Sequence, residues 1–153
     1  MTLLLLTGCR YREILHLQWQ DVWGNRLHLR DSKTGPRTVW LGSAARQAID
    51  SLPRQLGIPW LFWNYRYRRP MRSIQAAWRT ILDGAKLGKL RIHDLRHTFA
   101  SHAAMNKETL PMIGRLLGHA NHRSTARYAH LDDEHLLDAT QQVGNVIEQL
   151  IGE

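Results

Sequence analysis

At 153 residues the chain is the size of one domain with a sizeable core. It carries 21 Lys and Arg against 13 Asp and Glu, a formal charge of +8, with 43% apolar residues and a mean hydropathy of −0.41. These values argue against a membrane protein and a low-complexity chain, and for a folded domain that meets a polyanion. Only four of the 21 basic residues are lysines (Lys33, Lys86, Lys89 and Lys107), and the arginine bias suits two-pronged contact with phosphate. Cys9 is the sole cysteine, which rules out an intrachain disulfide and fits a reducing cytoplasm.

The opening "MTLLLLTG" is too short and too poorly flanked for a signal peptide or a membrane span. It reads as the second half of a helix, broken at Thr7-Gly8 from a second helix over residues 11–19 with Ile14, Leu15, Leu17 and Trp19 on its apolar face. In residues 21–41 the period changes to two: Leu27 and Leu29 alternate with Arg26, His28 and Arg30, and Val39 with Leu41 repeats the pattern. Turns at Gly24-Asn25 and Lys33-Thr34-Gly35-Pro36 predict a three-stranded antiparallel sheet with Lys33 at a hairpin tip.

Beyond residue 43 the pattern is helical. Ser43 is placed to cap a helix to about residue 51, and Ser73 one carrying Ile74, Ala77, Trp78 and Ile81. Between them, Tyr65, Arg66, Tyr67 and Arg68 read as a loop. A helix from about residue 93 carries Leu95 and Phe99; Thr109 caps the next, with Pro111 in its first turn. A short helix around 124–129 holds Tyr128, and a last one starts near Asp132. The fold class expected is mainly α with a small three-stranded antiparallel sheet, as one domain over residues 1–153.

Five short stretches hold the candidate chemistry. "TGCRYRE" sets Arg10 just past a Thr-Gly break, with Glu13 one turn on to hold the guanidinium. "SKTG" offers Lys33. "HDLRHTFASH" puts His93 and Arg96 on one helical face at a helix start, where each favours an incoming anion. "LGHANHRSTARYAH" places His119 at a predicted helix C-terminus and Tyr128 among histidines and arginines. "NYRYRRPMR" offers Arg66, Arg68, Arg69 and Arg72 as phosphate grips. Singly, each has a bland reading as a cap, a surface ion pair or a solvated cation.

Together and in this order, they resemble the tyrosine recombinase (phage integrase) family. "TGCRYREILHLQWQDV" resembles the first arginine box, "SKTG" the β-hairpin lysine, "HDLRHTFASH" the His-x-x-Arg box, and "LLGHANHRSTARYAHL" the histidine-to-tyrosine box. The resemblance runs from Thr7 to about Leu131. It implies a catalytic set of Arg10, Lys33, His93, Arg96, His119 and Tyr128. It also implies double-stranded DNA as substrate, a covalent 3′-phosphotyrosine intermediate and no cofactor. Arginines suit the two non-bridging oxygens of a phosphodiester, a lysine can protonate the leaving 5′ oxygen, and histidines titrating near neutrality suit proton exchange. On this reading His93 assists proton removal from the phenol, cationic neighbours lower the phenol's pKa, and His119 donates to the phosphoryl oxygens. Members usually carry a helical DNA-gripping domain and an initial catalytic-domain helix before the segment matched here, and neither is expected in this chain. The resemblance further implies a C-terminal tail over 132–153 that docks on a neighbouring protomer in a DNA-bound tetramer, with Gly144 as its kink. The competing expectation for the stripe of Leu136, Thr140, Val143, Ile147 and Leu150 is packing on the chain's own core. The setting expected is a bacterial or phage-derived protein of the cytoplasm, associated with the nucleoid.

Metal chemistry fits less well. "HDLRH" spaces His93 and His97 as a zinc-protease helix does, but the residue after the first histidine is Asp94, where that motif has glutamate. The "DDE" run at 132–134 cannot converge on one ion pair from consecutive helical positions and reads as a helix start. No metal is expected. Two alternatives stay open: a catalytically inert DNA-binding module, and strand cleavage alone of the type IB topoisomerase kind.

Overall fold

The structure is a computed structural model that describes residues 1–30, 32, 35–131 and 136–151. Seven α-helices and five short strands follow one another along the described chain. Lys33, its turn partner Thr34 and the "DDE" run lie outside the described residues.

Helix α1 (Thr2–Thr7) ends at Gly8, whose left-handed backbone (φ 61°) lets its N–H close on Leu4 O. Helix α2 (Tyr11–Leu15) starts at Arg10, whose N–H donates to the Glu13 carboxylate. It stops well short of Trp19, because residues 17–19 find main-chain partners elsewhere. Trp19 N–H donates to Pro59 O at 2.8 Å, and Leu61 N–H to Leu17 O at 2.9 Å. That pairing overrides the helical pattern predicted for 11–19.

Strands β1 (Val22–Trp23), β2 (Arg26–Leu29) and β3 (Arg37–Trp40) form the predicted antiparallel sheet in the order β1-β2-β3, with Leu27 opposite Val39. Leu27, Leu29 and Val39 face the core, while Trp23, Arg26, His28 and Trp40 stay on the open face. Helix α3 (Ser43–Asp50) is capped by the backbone of Gly42, so Ser43 is its first residue and not its cap. The stretch predicted as a loop at 65–68 is the turn of a small hairpin, β4 (Trp63–Asn64) with β5 (Arg69–Pro70). Asn64 Oδ1 accepts from the N–H groups of Arg66 and Tyr67 and fixes that turn.

Helix α4 (Gln75–Gly84) buries Trp78 and Leu82, and leaves Ile81, which the pattern had placed inside, half exposed. The cap residue is Ile74 and not Ser73 as predicted; Ser73, one position earlier, accepts with Oγ from Gln75 N–H. Helix α5 (Asp94–Met105) runs beneath α1 and turns Arg96, Ala100 and Ala104 inward. Helix α6 (Leu110–Leu117) is capped by Thr109, with Pro111 in its first turn, and ends at Gly118 (φ 66°). Two 3-10 segments, His122–Ser124 and Ala126–Leu131, lead to α7 (Leu136–Ile151), which is unbroken at Gly144. Of the predicted stripe, the side chains described, Thr140, Val143 and Ile147, lie open to solvent, as does Val146, so these positions do not pack on the chain's own core; the side chains of Leu136 and Leu150 lie outside the described ones.

Two apolar cores result. The larger joins α1, the sheet, α3 and α4; the smaller gathers Ala100, Ala104, Ile113 and Leu117 around the ring of Tyr128. Gly8 sits between them. A Cβ there would come within 2.5 Å of Phe99 Cδ1 and 3.0 Å of Leu117 Cδ2. Among the described residues, no helix is long and apolar enough to cross a membrane.

Candidate active site

Arg10, His93, Arg96, His119 and Tyr128, five of the residues predicted from the sequence, meet at the seam between the two cores. Arg10, at the start of α2, donates from its backbone N–H to Glu13 Oε2 and from Nη1 to Glu13 Oε1, both at 2.8 Å. The Glu13 side chain is only 4% exposed and also accepts from Arg37 Nη2 at 3.0 Å. Burial pushes its carboxyl up, but the Arg10 hydrogen bonds and the Arg37 charge outweigh this and hold it below the usual carboxylate range.

Arg96, 3% exposed, reaches under α1 and donates from Nη1 to Gly8 O at 2.7 Å. Burial, with Arg10 and Arg37 nearby, lowers its pKa to about 10, so it is still a cation at neutral pH.

His119 follows the left-handed Gly118, and its N–H closes on Gly114 O. Its Nδ1 lies 2.8 Å from Thr125 Oγ1, a hydroxyl on a residue 2% exposed. Only a small residue fits behind that hydroxyl, since a Cβ at Gly114 would lie 3.1 Å from it. Burial first, then Arg96 and Arg10, lower the His119 pKa to about 4. His119 is therefore neutral at pH 7, contrary to the expectation of titration near neutrality. A Thr125 hydroxyl that donates to Nδ1 would place the ring proton on Nε2 and give the ring a donor on its other edge.

Tyr128 is 5% exposed, with its ring in the smaller core and its N–H on Thr125 O. Its hydroxyl lies 2.7 Å from Nδ1 of His97, not on His93. Burial raises the phenol's pKa against the opposing charges of Arg127 and Arg96. The net shift is thus opposite to that expected from the cationic neighbours alone. His93 packs edge-to-face on His97, with ring centroids 5.1 Å apart, and burial, His97 and Arg96 lower its pKa.

Arg10, His93, Arg96, His97, His119, Ser124, Arg127 and Tyr128 line one cavity of about 200 Å³. No carboxylate is among the described residues that line it. A larger groove of about 670 Å³ starts at Arg10 and Glu13 and passes Arg12, His16, His28 and Arg30. Arg66, Arg68, Arg69 and Arg72 are exposed on and just after the β4–β5 hairpin and do not line the cavity. Among the described residues, no three His, Cys, Asp or Glu side chains are grouped to hold a metal ion.

Five residues of the site lie beyond the sequence candidates: Arg37, His97, Ser124, Thr125 and Arg127. His97 was legible as a neighbour of His93 one turn on, but only a metal pair was weighed for it. Thr125 and Arg127 flank the tyrosine without a pattern that marks them. Arg37 carried a usable signal. It lies two residues before Val39, hence on the core face of β3, where an arginine needs a buried partner.

Residues 1–135 match the model of the phage integrase family. The chain belongs to that family. It is 33% identical over 138 residues to the integrase of Escherichia phage P2, covering 90% of this chain and 38% of that protein. It is 32% identical to tyrosine recombinase XerA of Pyrococcus furiosus, covering 98% of this chain and 55% of the relative. The chain thus spans about half the length, or less, of these phage integrase relatives. Among solved structures, it superposes on a XerA recombinase with a TM-score of 0.71 at 29% identity, over 92% of this chain and 54% of that one. The catalytic domain of bacteriophage HP1 integrase matches at a TM-score of 0.68 and 27% identity, over 90% and 76% of the two chains. The mainly α fold with its small antiparallel sheet is that of the phage integrase catalytic domains.

Proposed function

We propose that this chain is the catalytic domain of a site-specific DNA recombinase or integrase. It cuts one strand of duplex DNA through a covalent 3′-phosphotyrosine on Tyr128 and rejoins it without a metal or nucleotide cofactor. One observation carries the reading: a tyrosine hydroxyl and three guanidinium groups share a cavity that no described carboxylate lines. Such a cavity favours an anionic group beside a nucleophile.

Arg10 and Arg96 clamp the non-bridging oxygens of the scissile phosphate, each already fixed, one by Glu13 and the other by Gly8 O. His119 donates from Nε2 to the same oxygens. Lys33, which lies between β2 and β3 in the sequence, protonates the leaving 5′ oxygen. The phosphoester energy is kept in the tyrosyl link, so a 5′ hydroxyl from either duplex can reverse the step. Arg66, Arg68, Arg69 and Arg72 grip the duplex backbone at a distance from the chemistry. The open apolar stripe of α7 supports docking on a neighbouring protomer, which would couple active sites in a tetramer on DNA.

The test is a duplex nicked near the scissile bond, so that the cleaved fragment diffuses away and religation fails. In EDTA, the parent chain should shift by the mass of the DNA fragment on a denaturing gel, and Tyr128→Phe should bind the same duplex without that shift. Cleavage strictly dependent on magnesium overturns the reading.

A further inference from the structure

Tyr128 is the nucleophile in the function proposed above, and a neutral phenol is a poor one. At a pKa of 10 or more, exposing the phenolate at pH 7 costs about 4 kcal/mol, and burial of Tyr128 adds to that cost. A base in contact with the hydroxyl removes the need for free phenolate. The expected one was His93, but the described residue in hydrogen-bond contact with the hydroxyl is His97, at 2.7 Å through Nδ1. The two rings are tilted by 48°, with centroids 6.2 Å apart.

We propose that His97 is the base of the reaction, taking the Tyr128 proton on Nδ1 as Oη closes on phosphorus. The inference rests on the reading of Tyr128 as nucleophile. In the forward step the O–H bond of Tyr128 breaks and its proton passes to Nδ1, giving an imidazolium. The Oη–P bond forms, the P–O5′ bond breaks, and the leaving oxygen takes a proton from the general acid assigned to Lys33. In religation a 5′ hydroxyl attacks phosphorus and gives its proton back to that acid. The departing phenolate recovers its own from the His97 imidazolium. No proton is lost over the cycle, and one histidine serves both halves.

His97 is placed for this task. It sits one helical turn after His93 on α5, so the helix that aims Arg96 also aims the base. Acceptance at Nδ1 requires the resting proton on Nε2, a tautomer that leaves the acceptor edge towards Tyr128. The charged and titratable groups around it are Asp94, Arg91, Arg96 and His93 from its own helix and the segment leading into it, and Arg127 and Tyr128 from the facing 3-10 segment. Burial first, then Arg127, lower its pKa against the pull of Asp94, so the ring is neutral and ready to accept at pH 7.

The test uses the full chain on the nicked duplex under single turnover, with His97→Ala, His97→Asn and His93→Ala. Asparagine places an oxygen near the position of Nδ1, keeping a hydrogen bond but unable to hold the proton. Both His97 variants should capture DNA about 100-fold more slowly or worse, with unchanged DNA affinity and melting temperature. Added imidazole should restore part of the His97→Ala rate. The parent rate should be level around neutral pH and fall only at acid pH, below the ordinary imidazole range, while the His97→Asn rate should keep rising with pH. A His97→Asn variant as fast as the parent would reduce His97 to a positioning contact and overturn the proposal. So would normal capture by His97→Ala beside a His93→Ala variant that imidazole rescues. If the parent itself captures no DNA, the nucleophile assignment falls, and this inference with it. Independently of cleavage, the ¹⁵N resonances of the His97 ring should move in Tyr128→Phe without DNA. An unmoved spectrum would show that the two side chains do not meet.

Discussion

Arg37 Nη2 lies 3.0 Å from Glu13 Oε2, on the same carboxylate that holds Arg10 Nη1 at 2.8 Å. A side chain from the edge of the sheet thereby sets the guanidinium at the start of α2. Arg37 also donates from Nη1 to Leu116 O at 3.3 Å, tying the last turn of α6 to the same point. Arg10 is thus held by two elements far apart in sequence, through one shared acid.

Removing Glu13 leaves two guanidinium groups without their acid, whereas removing Arg37 leaves Glu13 paired with Arg10 alone; the Arg37 side chain is 12% and that of Glu13 4% exposed. Glu13→Gln should lower stability by about 3 kcal/mol, the low end for breaking a buried ion pair, and Arg37→Ala by less. Urea denaturation would read the loss directly. Strand capture by whatever fraction stays folded should also slow, because Arg10 is no longer fixed. Arg37→Lys should keep the charge but lose the contact with Leu116 O, and fall between the parent and Arg37→Ala.

Gly118→Ala should behave like a milder Arg37 deletion. The site requires a left-handed backbone at φ 66°, which costs a residue with a Cβ about 1 kcal/mol. The new Cβ would also come within 2.5 Å of Arg37 Cδ. We expect a lower melting temperature and slower capture together. A variant with lowered stability but parental capture would show that Arg37 moves aside without disturbing Arg10.

The low pKa of His119 links stability to pH. In the unfolded chain the ring takes a proton near pH 6.5, whereas the folded site resists until about pH 4. Protons therefore bind the unfolded state preferentially between these values. The stabilising contribution is full above pH 6.5 and is lost as pH falls towards 4. Melting curves of the parent should drop over that window more steeply than those of His119→Gln. Equal slopes would show that the ring protonates in the fold at its ordinary pKa.

Because Tyr128 lines the same cavity as Arg10 and Arg96 of its own chain, cleavage should occur in cis. Mixing Tyr128→Phe with Arg96→Ala protein on one duplex should then restore no covalent capture. Recovered activity in the mixture would mean that the tyrosine is donated to a neighbour.

What the sequence made legible was local. The alternation around Leu27, the Thr109 cap and the Gly118 stop are set by residues within a few positions of one another, and each stands where the pattern put it. Residues 17–19 escaped because their main-chain partners lie some 40 positions away, at 59–61. The β4–β5 hairpin escaped because strands of two residues are too short to show a period. At the site, the ordered boxes named Arg10, Arg96 and, as the support of Arg10, Glu13, but not Arg37, Arg127 or the supports that lie far off in sequence. The Tyr128–His97 bond spans 31 positions, and the Arg96–Gly8 bond 88. Contacts of that reach, and the burial that shifts each pKa, appear only once the helices are packed.

Arg10, Arg96 and Arg127 stand around a void with no lining acid among the described residues, so the folded chain bears their mutual repulsion whenever the void lacks an anion. Inorganic sulfate or phosphate in a buffer would enter the same electrostatic well. These ions should raise the melting temperature in proportion to their occupancy, and at the same concentrations compete with duplex for the arginines. The choice of buffer salt is therefore an uncontrolled inhibitor in any assay of this domain, and chloride or acetate buffers should give the truer rates.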